Sequence, residues 1–313
     1  MKIIFIDSVH SILQERLEKL GFQCDIKTDL SKEEIHACIA EYDGLVIRSK
    51  IPVDKEFLDK ATKLKFVARS GAGLENIDLK HAASRNIECF SAPEGNRDAV
   101  AEHSLAMLLS LFNKLTWADL EIRKGIWNRE ANRGRELKGK TVGIIGYGHM
   151  GKAFAKRLQG FDCEVITYDK YLEHYSDDFA KEVSLKELQS RADIISFHVP
   201  QEPDTIHYVD EAFINSLAKP VYIINTARGK IINTSALIEA LKNGKVLGAC
   251  LDVLEYEKSS FEKIFQQDLN EDFEFLVGSP KVILSPHVAG WSEESYFKLS
   301  NTLANKILDH YQA

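Results

Sequence analysis

Short apolar runs alternate with helical patterns along nearly all of the 313 residues, and this alternation restricts the possible folds strongly. Runs such as KIIFI (2–6), DGLVIRS (43–49) and VYIINT (221–226) have the length and the branched side chains of buried strands. Strands that alternate with helices predict parallel sheets joined by right-handed crossovers. We therefore expect an α/β protein with doubly wound parallel sheets of Rossmann-like or flavodoxin-like type.

The pattern divides into two α/β series separated by a long apolar helix and a polar connector. The helix is predicted over 98–111 and the extended connector over 121–140. The last segment, after Ser292, is predicted as one more helix, which has no strand to follow it. Strands of the second series are predicted at 141–146, 163–168, 193–199, 221–226, 248–253 and 282–285.

The charge and cysteine content exclude several classes of protein. Forty basic and 47 acidic residues give a net charge of −7, which argues against nucleic acid or an acidic membrane surface as a partner. No apolar run approaches 18 residues, so no membrane-spanning helix is expected. The five scattered cysteines form no CxxC pair, which argues against a zinc site or a disulfide framework and favours a reducing cytoplasm.

Three glycines follow the first strand of the second series, in the stretch TVGIIGYGHMGKAFAKRL. In a dinucleotide-binding turn, Gly146 would make the tight bend, Gly148 would admit a pyrophosphate, and Gly151 would let the helix pack on the strand. Asp169 ends the next predicted strand, where a carboxylate accepts hydrogen bonds from ribose hydroxyls and repels a 2′-phosphate. The combination predicts NAD rather than NADP as the cofactor.

Three further side chains follow predicted strand ends and together could carry out hydride chemistry. Reduction of a ketone leaves an alkoxide that needs a proton, and His287 could supply it. Glu257 beside that imidazole would orient it, while Arg228 could grip a substrate carboxylate. Taken singly, each is an ordinary loop side chain, so only their convergence in one sheet would make a site.

Ordered motifs extend over almost the whole chain and resemble those of the D-isomer-specific 2-hydroxyacid dehydrogenase family. They are VIRSKIPVD, SGAGLENID, AVAEHSLAMLLSL, GRELKGKTVGIIGYGHMG, YDKY, FHVPQEPDT, INTARGKIINTSALIEAL, GACLDVLEYE and SPHVAGW. The resemblance implies a discontinuous substrate domain, 1–95 plus 286–313, and an inserted NAD-binding domain, 96–285, with the active site in the cleft between them. It also implies that His287 is the acid/base, that Glu257 pairs with it and that Arg228 binds the substrate carboxylate and carbonyl.

The same matching assigns further residues to cofactor and substrate. In the family, Asp252 lies near the nicotinamide carboxamide, and His198 and Pro200 lie beside the adenine ribose. The implied cofactor contacts are Gly146, Gly148, His149, Met150, Gly151, Asp169, His198, Val199, Pro200, Thr205, Thr226, Ala227, Asp252 and Gly290. The implied substrate contacts are Arg48, Ser49, Ala72, Gly73 and Asn96, of which Ala72 and Gly73 would offer backbone N–H groups.

The resemblance leaves the substrate open. Arg48 and Asn96 favour 3-phosphoglycerate, and glyoxylate, hydroxypyruvate or another 2-keto acid are alternatives. An NAD(H)-sensing protein on the same fold, or formate or phosphite oxidation, would be different readings, but the intact Arg228, Glu257 and His287 favour the dehydrogenase.

The resemblance also implies a homodimer formed through the long helix and the connector, at 98–137, and we expect no C-terminal regulatory domain. Two departures from the family concern access to the site. Lys258 replaces a common proline at the start of a long acidic loop, 258–276, and Trp291 would line or crowd the site.

Overall fold

The computed structural model describes residues 1–257 and 271–312, which form two compact units. The first unit contains residues 1–97 and 291–312. The second contains residues 98–257 and 271–290. The boundaries differ by a few residues from those predicted, because residues 286–290 pack with the second unit.

Strands and helices alternate along both units. The strands are β1 (Lys2–Phe5), β2 (Gln23–Ile26), β3 (Gly44–Ile47), β4 (Phe66–Arg69), β5 (Glu88–Phe90), β6 (Thr141–Ile145), β7 (Glu164–Tyr168), β8 (Lys181–Glu182), β9 (Ile194–Phe197), β10 (Val221–Asn225), β11 (Val246–Leu251) and β12 (Val282–Leu284). The helices are α1 (Ile12–Lys19), α2 (Lys32–Cys38), α3 (Lys55–Lys60), α4 (Leu79–Ser84), α5 (Pro93–Phe112), α6 (Leu115–Arg123), α7 (His149–Arg157), α8 (Leu185–Arg191), α9 (Glu211–Ser216), α10 (Thr234–Asn243), α11 (Glu271–Gly278) and α12 (Glu293–Gln312). Short 3₁₀ turns lie at Ile39–Glu41 and Gly229–Ile231.

The first unit is built on a five-stranded sheet in the order β2-β1-β3-β4-β5, with every pairing parallel. This is the flavodoxin-like order of a doubly wound sheet. The last helix, α12, packs Leu299, Leu303 and Ile307 against the sheet residues Phe5 and Phe66. Its predicted cap is confirmed, because the Ser292 hydroxyl accepts a hydrogen bond from the Ser295 N–H at 3.0 Å.

The second unit is built on a seven-stranded parallel sheet in the order β12-β11-β10-β9-β6-β7-β8. Taken in chain order from β6, this is the Rossmann order 3-2-1-4-5-6 with one further strand. The order reverses between β6 and β9, so a crevice opens there at the carboxyl ends of the strands. Buried aliphatic side chains cover both faces of the sheet. The predicted α/β class with two doubly wound parallel sheets is confirmed.

Some predicted elements differ from those observed. Helix α5 begins five residues before the predicted 98, and α6 extends to Arg123, into the first three residues of the predicted connector. Strands β2 and β8 were not predicted, because the sequences QCDI and KE lack an apolar run. Helix α11 forms in the predicted 258–276 loop, whose first thirteen residues, Lys258 included, lie outside the described residues. Among the helices that the structure describes, none has the length and apolarity to cross a membrane.

Candidate active site

The sheet of the second unit gathers the predicted catalytic residues at one edge. Arg228, Glu257 and His287 follow β10, β11 and β12, which are neighbours in the sheet. The glycine turn, Asp169 and His198 follow β6, β7 and β9 at the same edge. Because the carboxyl ends of parallel strands meet at one edge, the catalytic candidates occupy one half of it and the cofactor candidates the other half.

His287 and Glu257 form a direct pair. Nδ1 of His287 lies 2.6 Å from Oε2 of Glu257, and both side chains are largely buried, with exposed fractions of 24% and 10%. The backbone N–H of Leu254 donates to the other carboxylate oxygen, so Glu257 is held by its own loop. Since a carboxylate only accepts, Nδ1 carries the proton in this pair. The other ring nitrogen, Nε2, is therefore the atom of His287 that can exchange a proton with a substrate.

The loop that carries His287 is fixed by Asp252, whose side chain is 1% exposed. Its two carboxylate oxygens accept hydrogen bonds from the N–H groups of Val288 and Ala289 at 2.9 and 2.8 Å, and from the Ser285 hydroxyl at 2.6 Å. Its backbone carbonyl accepts the His287 N–H at 2.8 Å. These bonds hold His287 at φ +55°, a left-handed conformation that side-chain-bearing residues adopt rarely.

Arg228 stands in a turn that a buried asparagine shapes. The Asn225 side chain accepts the Ala227 N–H at 3.1 Å and donates to the Arg228 carbonyl at 3.0 Å. At Gly229 an added Cβ would lie 1.9 Å from the carbonyl oxygen of Leu254. The turn that carries Arg228 therefore packs directly on the backbone of the loop that carries Glu257, and only glycine permits this approach.

Glu255 ties that loop to the start of α10. Its Oε2 accepts the backbone N–H and the hydroxyl of Thr234 at 3.0 and 2.8 Å, and its Oε1 lies 2.5 Å from Nε2 of His207. Burial alone would raise the pKa of the Glu255 carboxyl, but the bonds from Thr234 and His207 outweigh it and lower the pKa.

The glycine turn has the geometry of a phosphate-binding loop. Gly146 has φ +92°, and a Cβ on Gly151 would lie 2.0 Å from the Gly146 carbonyl oxygen, so both positions require glycine. A Cβ on Gly148 would meet no atom within 4 Å, so open space borders this residue. Helix α7 begins with His149 and Met150 and has no side-chain cap, which leaves N–H groups at its positive end for an anion. These residues fit a dinucleotide.

Asp169 lies beside this turn. One of its oxygens accepts the Tyr147 N–H at 2.8 Å, and the other accepts the N–H groups of Tyr171 and Leu172 at 2.9 and 3.2 Å. A carboxylate offers about four acceptor positions, so the bonds to the backbone fix its orientation and leave capacity for a ribose hydroxyl.

The remaining cofactor candidates lie in the loops after β9, β10 and β12. A Cβ on Gly146 would lie 2.6 Å from the carbonyl oxygen of His198. Burial lowers the pKa of the His198 imidazole to about 3, so the ring is neutral at pH 7. Thr205 shapes the loop after Val199 and Pro200 through a bond from its hydroxyl to the Pro200 carbonyl at 2.6 Å. The other three, Thr226, Ala227 and Gly290, lie in the turns that carry Arg228 and His287, and the Thr226 hydroxyl lies 2.9 Å from that of Ser104.

The predicted substrate residues belong to the first unit, where four of them follow the carboxyl ends of β3 and β4 and Asn96 lies in the first turn of α5. Asp7 accepts the N–H groups of Arg48 and Ser49 at 2.6 and 3.0 Å and so shapes their turn. Arg69 joins this turn to the next loop, since its guanidinium donates to the carbonyl oxygens of both Arg48 and Gly73. Both turns are therefore fixed by charged side chains that sequence reasoning did not single out.

Polar groups in the first unit suit an anionic ligand that also carries a hydroxyl group. Within the described residues, the N–H groups of Ala72 and Gly73 donate no hydrogen bond. Oδ1 of Asn96 is buried and has no donor among the described residues. Trp291 stacks on Arg48, whose guanidinium carbon lies 4.0 Å from the centre of the indole ring.

Comparisons with known proteins agree with this geometry. The model of the NAD-binding domain of D-isomer-specific 2-hydroxyacid dehydrogenases matches residues 105–289. A D-3-phosphoglycerate dehydrogenase of Archaeoglobus fulgidus is 32% identical over 314 residues, which cover 99% of this chain and 57% of that protein. The chain spans little more than half the length of the curated phosphoglycerate dehydrogenases that it matches.

Solved structures give the same picture. A glyoxylate reductase from Paecilomyes thermophila is similar with a TM-score of 0.86 at 25% identity, covering 98% of this chain and 94% of that one. A D-lactate dehydrogenase from Aquifex aeolicus, solved with NAD and lactic acid, is similar with a TM-score of 0.83 at 27% identity, covering 100% and 96%.

The Rossmann strand order and the glycine turn at its crevice make the second unit a dinucleotide-binding domain. The chain belongs to the D-isomer-specific 2-hydroxyacid dehydrogenase family, and its second unit contains the NAD-binding domain of that family.

Proposed function

We propose that this chain is an NAD-dependent oxidoreductase that interconverts a D-2-hydroxyacid and its 2-keto acid. The observation that carries the proposal is the His287–Glu257 pair, at 2.6 Å, on the same sheet edge as the glycine turn. The bound cofactor would supply the hydride acceptor in its oxidised form and the hydride donor in its reduced form. The chain itself supplies the proton and binds both the substrate and the cofactor.

In the proposed roles, His287 holds the transferable proton at Nε2, since Nδ1 is committed to Glu257. Glu257 keeps the ring in this orientation and stabilises the imidazolium form. Arg228 binds the substrate carboxylate through its planar guanidinium and polarises the neighbouring carbonyl.

The cofactor would be held by the glycine turn and the start of α7 at its pyrophosphate and by Asp169 at its adenosine ribose. Because Asp169 is anionic, NAD is preferred to NADP. We expect Asp169→Ala to weaken NADH binding and to lower the ratio of the NADPH dissociation constant to the NADH dissociation constant. An unchanged ratio would remove Asp169 from this role.

The decisive experiment compares His287→Ala with the wild-type chain in turnover and in NADH binding. General acid/base catalysis is worth about 10²- to 10⁴-fold, so turnover falls at least 100-fold while the dissociation constant of NADH changes little. Glu257→Gln keeps a side chain of the same shape and should give a smaller loss. Equal turnover in His287→Ala and wild type would contradict the proposed acid/base.

For the substrate, we propose 3-phosphoglycerate and its 2-keto acid. The curated relatives are named D-3-phosphoglycerate dehydrogenases, and Arg48 and Ser49 are predicted substrate contacts. Asn96 offers an acceptor oxygen to the substrate, and Ala72 and Gly73 offer N–H donors. The glyoxylate reductase neighbour favours glyoxylate or hydroxypyruvate as a second candidate. Assays of these keto acids with NADH separate the two. Binding of NADH without turnover of any acid would instead favour an NAD(H)-sensing protein.

We also propose a homodimer formed through residues 98–137. Within this range, we define the arm as α6 and the turn up to Trp127. Five large apolar side chains of the arm are exposed, and Trp127 is 79% exposed. Monomeric proteins rarely leave an apolar patch of this kind in water, so a second copy of the chain would cover it. The cytoplasmic location stays a prediction.

A further inference from the structure

Helix α5 directs two side chains, one turn apart, at the start of the loop that carries His287. Nε2 of His103 lies 2.9 Å from the hydroxyl of Ser285, and the sulfur of Met107 lies 3.6 Å from the same oxygen. The same nitrogen of His103 is 3.6 Å from Oδ1 of Asp252. His103 has no place in the chemistry described above, and the motif that contains it, AVAEHSLAMLLSL, assigns it no role.

The direction of these hydrogen bonds follows from the number of protons available. Ser285 has one hydroxyl proton, and the ionised Asp252 accepts it at 2.6 Å. The Ser285 oxygen therefore acts as the acceptor for His103, which donates its Nε2–H. The order is His103 to Ser285 to Asp252, and each donor strengthens the next bond along this series.

Asp252 connects this series of hydrogen bonds to the loop that carries His287. Its carboxylate accepts the N–H groups of Val288 and Ala289, and its carbonyl accepts that of His287. The bonds to Val288 and Ala289 depend on the position of the carboxylate, and the bond to His287 depends on the backbone of the same residue. A buried carboxylate needs donors for all its oxygens, and His103 with Ser285 completes the set at Oδ1.

We propose that His103 is a positioning residue for His287, acting through Ser285 and Asp252 on the left-handed turn at 285–289. This inference rests on the proposed function of His287. His103 touches no reacting atom in this scheme. Its contribution is to keep the imidazole of His287 where Glu257 and the substrate can both reach it. Displacement of a catalytic group by about 1 Å can cost about 100-fold in rate, so a modest shift is measurable.

The test compares His103→Leu, which fills the space without a donor, with His103→Gln, whose side-chain amide can place an N–H near the position of Nε2. We expect His103→Leu to lower kcat about tenfold while the dissociation constant of NADH changes less than about threefold. His103→Gln should restore most of kcat. A leucine variant as active as wild type, or a glutamine variant as impaired as the leucine one, would overturn the proposal.

A double-variant cycle tests the route through Ser285. If His103 acts through Ser285, then Ser285→Ala alone and the double variant lose about as much kcat as His103→Leu alone. Losses that multiply would show that the two residues act separately and would contradict the proposed route. His81→Leu is the matched control, because it removes a histidine from another His–carboxylate pair, 2.7 Å from Asp59, on α4 of the first unit.

A readout that does not depend on catalysis separates this inference from the proposed function. Hydrogen exchange of a peptide covering 285–290 reports the N–H groups of Val288 and Ala289, which Asp252 accepts. We expect faster exchange in His103→Leu and not in His81→Leu, even if no keto acid is turned over. Unchanged exchange in His103→Leu would overturn the inference, whereas inactive wild-type protein with the expected exchange would overturn only the proposed function.

Discussion

Buried or half-buried carboxylates organise both units by accepting hydrogen bonds from backbone N–H groups. Asp7 holds the turn at Arg48, Asp252 holds the turn at His287, and Glu255 holds the start of α10. A carboxylate that accepts two or three N–H bonds is a strong local restraint, because charge-assisted bonds are stronger than neutral ones. Each of these loops carries, or lies next to, a candidate site residue.

At the residue scale, the sequence identified the side chains that perform chemistry better than those that position them. Arg228, Glu257 and His287 could be singled out because each follows an apolar run that reads as a strand. His103 could not be singled out in this way, because its partner Ser285 lies 182 positions away and no local pattern shows that the two side chains meet. Asp252 was assigned to the nicotinamide by resemblance, and its part in holding the 285–289 turn became visible only in the structure.

The stack of Trp291 on Arg48 gives a prediction about substrate choice. The guanidinium carbon of Arg48 lies 4.0 Å from the centre of the indole ring, which covers one face of the guanidinium. Such a contact is worth about 0.5–2 kcal/mol, so Trp291→Ala should lower kcat/KM for the phosphorylated keto acid by about two- to thirtyfold. The value for glyoxylate, which lacks the second anionic group, should change less than about twofold.

Trp291→Phe is the matched variant, because phenylalanine keeps an aromatic face and should retain much of the selectivity. Steady-state kinetics with the two acids measure the ratio directly. A loss of the same size for both acids would mean that Trp291 shapes the site generally and does not act through Arg48.

At the scale of elements, the central strands and the edge strand β12 were predictable, but the edge strands β2 and β8 were not. Runs such as those of β6 and β10 are almost wholly apolar because both faces of the sheet are covered. The edge strands β2 and β8 expose one side to water, so their sequences carry no apolar run. Their pairing is set by neighbouring strands, which is tertiary information that local pattern does not contain.

The glycine turn permits a matched pair of substitutions. Gly151→Ala would place a methyl group 2.0 Å from the Gly146 carbonyl oxygen, so α7 must shift and the thermal unfolding midpoint should fall by several degrees. Gly148→Ala meets no protein atom within 4 Å and has φ −77°, so the fold should tolerate it. In the proposed complex that methyl lies where the pyrophosphate approaches, and NADH binding should weaken at least about tenfold.

Calorimetry and NADH titration of both variants check this pair. If Gly148→Ala bound NADH as well as wild type while remaining folded, the pyrophosphate would not approach the turn at Gly148. If Gly151→Ala kept the wild-type midpoint, the close packing of α7 on the turn would be contradicted.

The Glu255 link between two elements predicts a pH-dependent stability. The pKa of this carboxyl is lower in the folded chain than its ordinary value of 4.5. Ionised Glu255 therefore stabilises the fold fully above pH 4.5, and this contribution is lost as the pH falls through the folded-state pKa. Glu255→Gln should lose about 2 kcal/mol at pH 7, seen as a lower unfolding midpoint, and the difference from wild type should shrink in acid.

Glu239→Gln on the same helix α10 is the control, since Glu239 is exposed and pairs only with Lys242 among the described residues. Its unfolding midpoint should stay close to that of wild type at every pH. A constant difference between Glu255→Gln and wild type from pH 7 down to pH 3 would show that the loss comes from packing and not from the charge.

At the scale of the whole molecule, the chain consists of two doubly wound units with different strand orders, and the boundary between them falls inside α5. The alternating pattern predicted both sheets, but it could not predict the arm. Helix α6 carries Leu115, Leu120 and Ile122 at exposed positions, amid charged residues that resemble a connector. One copy of the chain does not explain why this helix exposes apolar side chains to water. We therefore expect these side chains to be buried when the chain assembles.

The last prediction concerns that assembly. If the arm forms the homodimer, the mass in solution should be twice the chain mass of 35.4 kDa, and the double variant Leu120→Lys, Trp127→Lys should approach the mass of one chain. Burial of each large apolar side chain contributes about 1.5–3 kcal/mol, so charges at two of these positions should weaken association by several orders of magnitude. Val277→Lys, at an apolar position 59% exposed on α11, is the matched control and should stay dimeric. Light scattering over a range of concentrations measures the mass. A double variant that remained a dimer would show that the interface lies elsewhere and that a second copy does not cover the exposed arm.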